Sequence, residues 1–267
     1  MMKSIRMFIQ GSVFLWLIST TIGYAQIGIG TATPEGMLDL ESINQGLVFP
    51  RVALNKTNQQ APVINPNGGN LVAGTVVYNT STTSTGDHDV YPGVYAYNGT
   101  KWIPQFIIEH SALFEQNQLD FLVPLNGSFV DIPGLGNGTS FTAKYTGTYR
   151  IEANFNFGAG QVRNPSGSES VRMATQEGYF RFSFNGSNYD IYTHSYSIRN
   201  NTTSQNFNKF RHDSSLILYV NLRAGQTYNF RLQMDLQVSN TNDYNSNISG
   251  VVGIGIPCSV EFTYIKE

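Results

Sequence analysis

The chain has a single cysteine, Cys258, so no intrachain disulfide can form, and a thiol inside the apolar run VVGIGIPCSVEFTYIKE reads as a core residue. Charge is scarce as well: 13% of residues are charged, about half of the roughly 25% usual in soluble domains. A formal net charge of -2 and a pI near 6.1 provide no basic field to condense on phosphates, which excludes nucleic acid as a partner. The four histidines (His88, His110, His194, His212) show no HxxxH or HxH spacing and there is no CxxC, so a zinc site is not expected. Helical periodicity is missing too. No window places apolar residues at 3, 4 and 7 spacing between caps.

What is abundant is uncharged polarity and aromatic mass. The chain holds 15 Tyr, 17 Phe, 26 Gly and 26 Asn among 267 residues, with 40% apolar, enough for one or two domains with a real core. Its start reads as an export address. Lys3 and Arg6 make a basic n-region, MFIQGSVFLWLIST an apolar h-region, and GYA ends on small residues that predict cleavage between Ala25 and Gln26. An uncleaved anchor is the alternative, but the apolar stretch is short for a membrane span. No cysteine adjoins the cleavage site, so a lipid anchor is not expected there. Loss of residues 1–25 leaves 14 basic against 18 acidic residues, no remaining membrane span, and a secreted or outer-cell-surface protein as the expectation.

From about residue 141 onward the dominant period is two, that of a half-buried strand. In TYRIEANFNF, Tyr149, Ile151, Ala153, Phe155 and Phe157 alternate with Arg150, Glu152, Asn154 and Asn156. In TYNFRLQMDLQV the apolar set is Tyr228, Phe230, Leu232, Met234, Leu236 and Val238. SLILYVNL precedes it across RAGQ, which predicts a hairpin. YFRFSFNGSNYDIY predicts another, Asn185-Gly186 supplying the positive φ values of a type I′ turn. SVEFTYI closes the chain as a strand. The sum is an all-β antiparallel sandwich of roughly eight to ten strands over residues 109–267.

Residues 26–108 differ: short apolar pieces punctuated by Gly, Pro, Asn and Thr, with QQAPVINPNGGN in the middle. Such pieces are too small to bury a core alone, so they are expected to pack against copies of themselves as a stalk and assembly region. Asn98-Gly99 in VYAYNGTKW predicts a hairpin ending in Trp102.

Two resemblances add to this. IGIGTATPEGMLDLESINQGLVFPRVAL resembles the amino-terminal segment of many secreted Gram-negative surface proteins, through Gly28 to Thr31, Pro34, Leu38-Asp39, Ser42, Gly46 and Pro50-Arg51. The resemblance implies surface location and trimeric, stalk-like assembly. HSALFEQ, FTAKYTGTYRIEANFNF and SLILYVNLRAGQTYNFRLQ resemble the C1q/TNF-like jelly roll, although no collagen repeat precedes them and VEFTYIKE lacks the usual Gly-Phe pair. That family implies a compact homotrimer with an axis lined by aromatic and aliphatic side chains. Some members bind calcium near the apex, but no ligand set maps onto this chain.

Signs of catalysis are thin. His212-Asp213-Ser214-Ser215 holds the letters of a triad, yet neighbours on an extended segment point to alternate faces and cannot align. Asp87-His88-Asp89 is the densest group of metal-capable side chains, suited to calcium, with a solvated loop tip as the ordinary explanation. GLGNG (134–138) has no following helix and so no phosphate-loop context. Asn126, Asn137 and Asn185 begin glycosylation sequons better read as turns in a bacterial protein. Glu152, Asp190, Asp235 and Glu261 fall on polar strand positions, so a pair of carboxylates for glycoside hydrolysis would have to come from distant strands. Tyr179, Tyr189, Tyr192, Tyr196 and Tyr244 lie among Asn, Ser and Thr, a mixture that stacks on sugars and hydrogen-bonds their hydroxyls, core or trimer-axis burial being the alternative.

These observations define a non-enzymatic, secreted homotrimer without a cofactor: a signal peptide (1–25), a β-rich stalk (26–108) and a C1q-like jelly-roll head (109–267), in adhesion or surface structure. A glycan-binding lectin-type module, or a protein-binding one, is the alternative, and a jelly-roll hydrolase the third reading.

Overall fold

The computed structural model describes residues 26–164, 167–237, 243–244 and 249–266, which are all-β and contain no helix. Ala25 of the expected cleavage site and Val238 of the long alternating run lie outside the described residues. The chain divides into two compact units, Met1–Val48 and Phe49–Glu267. In the first, β1 (Ile27–Ile29) and β2 (Leu38–Leu40) form a parallel ribbon.

The second unit begins with a four-stranded sheet, β3 (Arg51–Val52), β4 (Val76–Asn79), β5 (Gly93–Tyr97) and β6 (Trp102–Pro104), in that order. Val77, Tyr95, Tyr97 and Trp102 alternate onto one face and are buried with Leu54, Leu71 and Val90. Here the sequence expectation needs correction. Residues 49–106 do bury a small core within one chain, because Leu54, Leu71 and Val90, from segments outside the strands, close over the sheet. The Trp102 indole, fully buried, donates to the Gln59 carbonyl at 2.9 Å, which anchors one of those segments. The expected hairpin closes at Tyr97 and Trp102, with Gly99 at φ 100 inside the turn.

The sandwich follows in the same unit. Its strands are β7 (Ser111–Glu115), β8 (Phe121–Pro124), β9 (Val130–Asp131), β10 (Ser140–Thr142), β11 (Gly147–Gly158) and β12 (Val171–Phe184), then β13 (Ser187–Asn200), β14 (Gln205–Phe207), β15 (His212–Leu222), β16 (Thr227–Leu236), β17 (Ser249–Val252) and β18 (Ser259–Lys266). One sheet runs β10-β16-β12-β13-β14 with β9 on β16; the other runs β7-β18-β11-β17-β8 with β15 on β11. All these pairings are antiparallel.

The long strands earn their place by alternation. Tyr149, Ile151, Ala153, Phe155 and Phe157 of β11 are buried against Phe180, Phe182, Phe230, Leu232, Met234 and Leu236 of the facing sheet. Phe155 stacks on Phe180 at 4.5 Å and Phe141 on Phe262 at 4.2 Å. Each such side chain contributes about 1.5–3 kcal/mol on burial, and the core needs no disulfide. Asn185 and Gly186, at φ 46 and 85, make the expected I′ turn between Phe184 and Ser187.

Two expectations are corrected. SLILYVNL and TYNFRLQMDL are not a hairpin: Val220 pairs with Tyr149 in one sheet and Leu232 with Phe182 in the other. The RAGQ turn, with Gly225 at φ 75, is an arch between sheets. A tight turn dictates only that the chain reverses; the partner is decided by register across the whole sheet. Among the described residues the sandwich also has twelve strands rather than eight to ten, because β9, β10 and β14 are two or three residues long and too short to show a period.

Candidate functional site

In the first unit the β1–β2 ribbon carries an exposed apolar surface. Register places Ile27 beside Leu38 and Ile29 beside Leu40, so four branched aliphatic side chains share one face, with Gly28 and Asp39 between them on the other. Their exposures are 59%, 60%, 59% and 42%, and Ile43 is fully exposed. Met37, Leu47 and Val48 are exposed alongside. A two-stranded ribbon with an uncovered apolar face is marginal in water by itself, and needs a partner surface to be stable.

The local geometry explains the glycines of this segment. Gly30 sits at φ 87, and a Cβ there would lie 1.9 Å from the Glu41 carbonyl oxygen, so no other residue fits. Gly28 is packed against the Thr31 carbonyl and the Pro34 ring. The Asp39 carboxylate accepts from the Glu35 amide at 2.9 Å and the Ser42 hydroxyl from the Gln45 amide at 3.0 Å. The polar positions of the motif therefore shape the turns, while the aliphatic ones are left facing outward.

The tyrosines proposed from sequence divide. Tyr179 and Tyr192 are cross-strand neighbours on the outer face of β12–β13, their rings inclined at 67° with centroids 5.7 Å apart. Tyr192 stacks toward His194 at 5.8 Å, His194 meets His212 at 4.9 Å, and Tyr196 stacks on Phe210 at 4.7 Å. Tyr179, Tyr192 and Tyr196 are exposed as required. Tyr189 and Tyr244 are not. Tyr189 lies opposite Phe182 on the inner face and packs on the core. Tyr244 is 1% exposed among Ala159, Val162 and Ala174, and burial pushes its hydroxyl well above the usual tyrosine range. Strand parity removes the first, and an isolated bridge to Val162 draws in the second.

The Asp87-His88-Asp89 group is also resolved by the fold. Asp87 is exposed, whereas Asp89 is buried and accepts four hydrogen bonds. Its Oδ1 takes the Thr83 hydroxyl at 3.0 Å, the Thr85 amide at 2.8 Å and the Thr85 hydroxyl at 3.2 Å; its Oδ2 takes the Thr146 hydroxyl at 2.9 Å. It is neither a solvated tip nor a calcium ligand set, but the tie between the small sheet and the sandwich. Tyr91 reinforces it by packing edge-on to Tyr145 at 4.7 Å. Among the described residues no group of three or more His, Cys, Asp or Glu is placed to hold a metal.

The carboxylates named from sequence do not converge on a cleft. Glu152 and Glu261 are cross-strand neighbours on an outer face, Glu152 paired with Arg150 at 2.9 Å and Glu261 accepting from Ser111 at 3.1 Å. Asp190 forms a two-pronged pair with Arg181, 2.7 Å on each arm, which holds its carboxyl below the usual range. Asp235 is 8% exposed, and desolvation raises its pKa. In His212-Asp213-Ser214-Ser215, His212 rests on His194 while Asp213 pairs with Arg211, so no triad forms.

The described chain thus combines an all-β sandwich in one unit with a two-stranded ribbon in the other whose aliphatic side chains are exposed. Residues 28–114 match the family model described as a phage tail like trimerisation region, and the match supports self-association as a trimer with a structural role. It contains β1 from Gly28 onward, all of β2, the small sheet and nearly all of β7. No curated protein matches the sequence. Among the described residues no helix is long and apolar enough to cross a membrane.

Proposed function

We propose that the mature protein is a non-enzymatic homotrimer, exported to the cell surface or beyond, in which residues 26–108 drive assembly and a C1q/TNF-like jelly-roll head serves adhesion or surface structure. The observation that carries the assembly reading is the row Ile27, Ile29, Leu38 and Leu40, exposed on one face, of which Ile29, Leu38 and Leu40 fall inside the region that matches a trimerisation model and Ile27 lies one residue before it. Covering such side chains with two further copies gives each about 1.5–3 kcal/mol, which a lone ribbon forgoes. Export rests on the basic, apolar and small-residue order of residues 1–25. The head reading rests on the two-sheet sandwich and the motifs named above. A structural role fits the commitment of Glu152, Asp190 and Glu261 to neighbouring donors.

Light scattering on residues 26–267, across micromolar concentrations, tests assembly. The expected result is three chain masses, with Leu38→Asp shifting the protein toward monomer. A monomer throughout for the parent chain refutes it.

A further inference from the structure

A surface cleft of about 540 Å³ lies at one end of the outer face of the β15-β11-β18 layer, and none of the tyrosines lines it. Its size falls within the range of about 300–1,000 Å³ typical of small-ligand sites. The floor is set by register. Asn154 of β11 stands between Ser215 of β15 and Ser259 of β18, so three polar side chains from three adjacent strands form one row. Asp213 is opposite Asn156 in the next such row.

The wall is the loop 253–257, and two buried amides hold it. Asn156, 2% exposed, donates to the Ile256 carbonyl at 3.0 Å and accepts from the Ile254 amide at 2.6 Å. Gln116, 5% exposed, donates to the Val252 carbonyl at 3.1 Å and accepts from the Cys258 amide at 3.1 Å, pinning both ends of the loop. Gly253 and Gly255, at φ 79 and 73, let the chain bend between those pins. Ile256, 49% exposed, and Pro257 thereby present a preformed apolar flank above a polar floor.

The chemistry of this cleft selects its ligand. Its one carboxylate, Asp213, is already paired with Arg211 at 3.1 Å, so the cleft offers no unbalanced charge to a cation or an anion. Phe155, the one aromatic in the lining, is 2% exposed and turned into the core, so no ring is available to stack on a nucleobase. What is left is a row of hydroxyl and amide groups facing an aliphatic flank. We propose that this cleft binds a neutral saccharide, its hydroxyls hydrogen-bonded to Asn154, Ser215 and Ser259 and its C–H face laid on Ile256 and Pro257. The cleft lies within one chain, so the assignment does not depend on trimer formation; assembly would add avidity by presenting three copies.

The test uses the full mature chain. It is first exposed to a printed array of neutral and acidic glycans, then titrated by saturation-transfer NMR with the neutral probes maltotriose, mannotriose and chitotriose. The expected result is saturable binding of at least one neutral probe, weakened at least tenfold by Asn154→Trp and by Ser215→Trp, and unchanged by Tyr192→Ala. Both tryptophan positions are exposed, and unfolding midpoints equal to the parent's establish that the variants are folded. Absence of binding to the neutral glycans overturns the proposal, as does binding restricted to acidic ones. Loss of binding on Tyr192→Ala with both tryptophan variants intact also overturns it, and moves the site to the tyrosine face.

Discussion

Asp89 offers the sharpest test of the fold, because its carboxylate takes all four of its hydrogen bonds from Thr83, Thr85 and Thr146. Asp89→Ala removes all four at once. Thr85 is exposed and returns to water, so its share is small. The Thr146 hydroxyl is buried, and leaving it without its acceptor costs about 1–3 kcal/mol, with about 1.5 kcal/mol more for the charge-assisted bond from Thr83. The sum is about 2.5–4.5 kcal/mol. For a unit of this size 1 kcal/mol shifts Tm by about 2–4 °C, so Tm should fall by about 5–18 °C. Asp89→Asn keeps one acceptor oxygen and the side-chain volume, and should lose only about 1–2 kcal/mol. A double-mutant cycle with Thr146→Val should return a coupling of about 1–2 kcal/mol. The assay is thermal and urea unfolding followed by circular dichroism at one fixed protein concentration, since assembly makes stability concentration-dependent. Asp89→Ala unfolding at the parental midpoint would refute the reasoning and restore a solvated loop tip. A parental Tm that rises with added calcium would point instead to the metal reading.

Three further outcomes are expected. Burial raises the Cys258 thiol to about 12, so Ellman's reagent at pH 8 should leave the native protein unlabelled and react once it is unfolded. Because the folded pKa is the higher one, that contribution to stability is present at neutral pH and is lost as pH rises from 9 toward 12, where the unfolded thiol ionises first. Gly186→Val forces a β-branched residue to φ 85 and should cost about 1–2 kcal/mol in urea unfolding, whereas Ser187→Val, just outside the turn, should change little. Phe262→Ala opens a hole beneath Phe141, Phe114 and Phe230 and should cost about 3–5 kcal/mol by the same assay.

The legible parts of the fold were those governed by nearest-neighbour physics. Alternation in β11 and β16 named the residues that are buried there, and Asn185-Gly186 named its turn, because side-chain parity and positive φ are local properties. The failures share one cause. The β15–β16 pairing, the self-contained core around Trp102 and the burial of Asp89 all depend on contacts between segments distant in sequence. A turn, a short apolar piece and an acidic loop look the same whether or not a distant segment closes over them.

The candidate sites follow the same division. Exposure of Tyr179, Tyr192 and Tyr196 was readable, since all three fall on the outward parity of β12 and β13. Tyr189 has the opposite parity, and Tyr244 is buried by a bridge to Val162 that no local pattern announces. The row of Asn154, Ser215 and Ser259 was visible only as three separate polar positions.

By itself, then, the sequence determined the all-β class, the faces of the long strands, the I′ turn and the aliphatic character of the N-terminal segment, because each follows from covalent geometry and hydrophobic period. Only the tertiary structure decided which strands pair, which carboxylate is buried and where a cleft opens. Those depend on register, and sliding one strand by two residues keeps every side chain on its own face while changing every neighbour it meets.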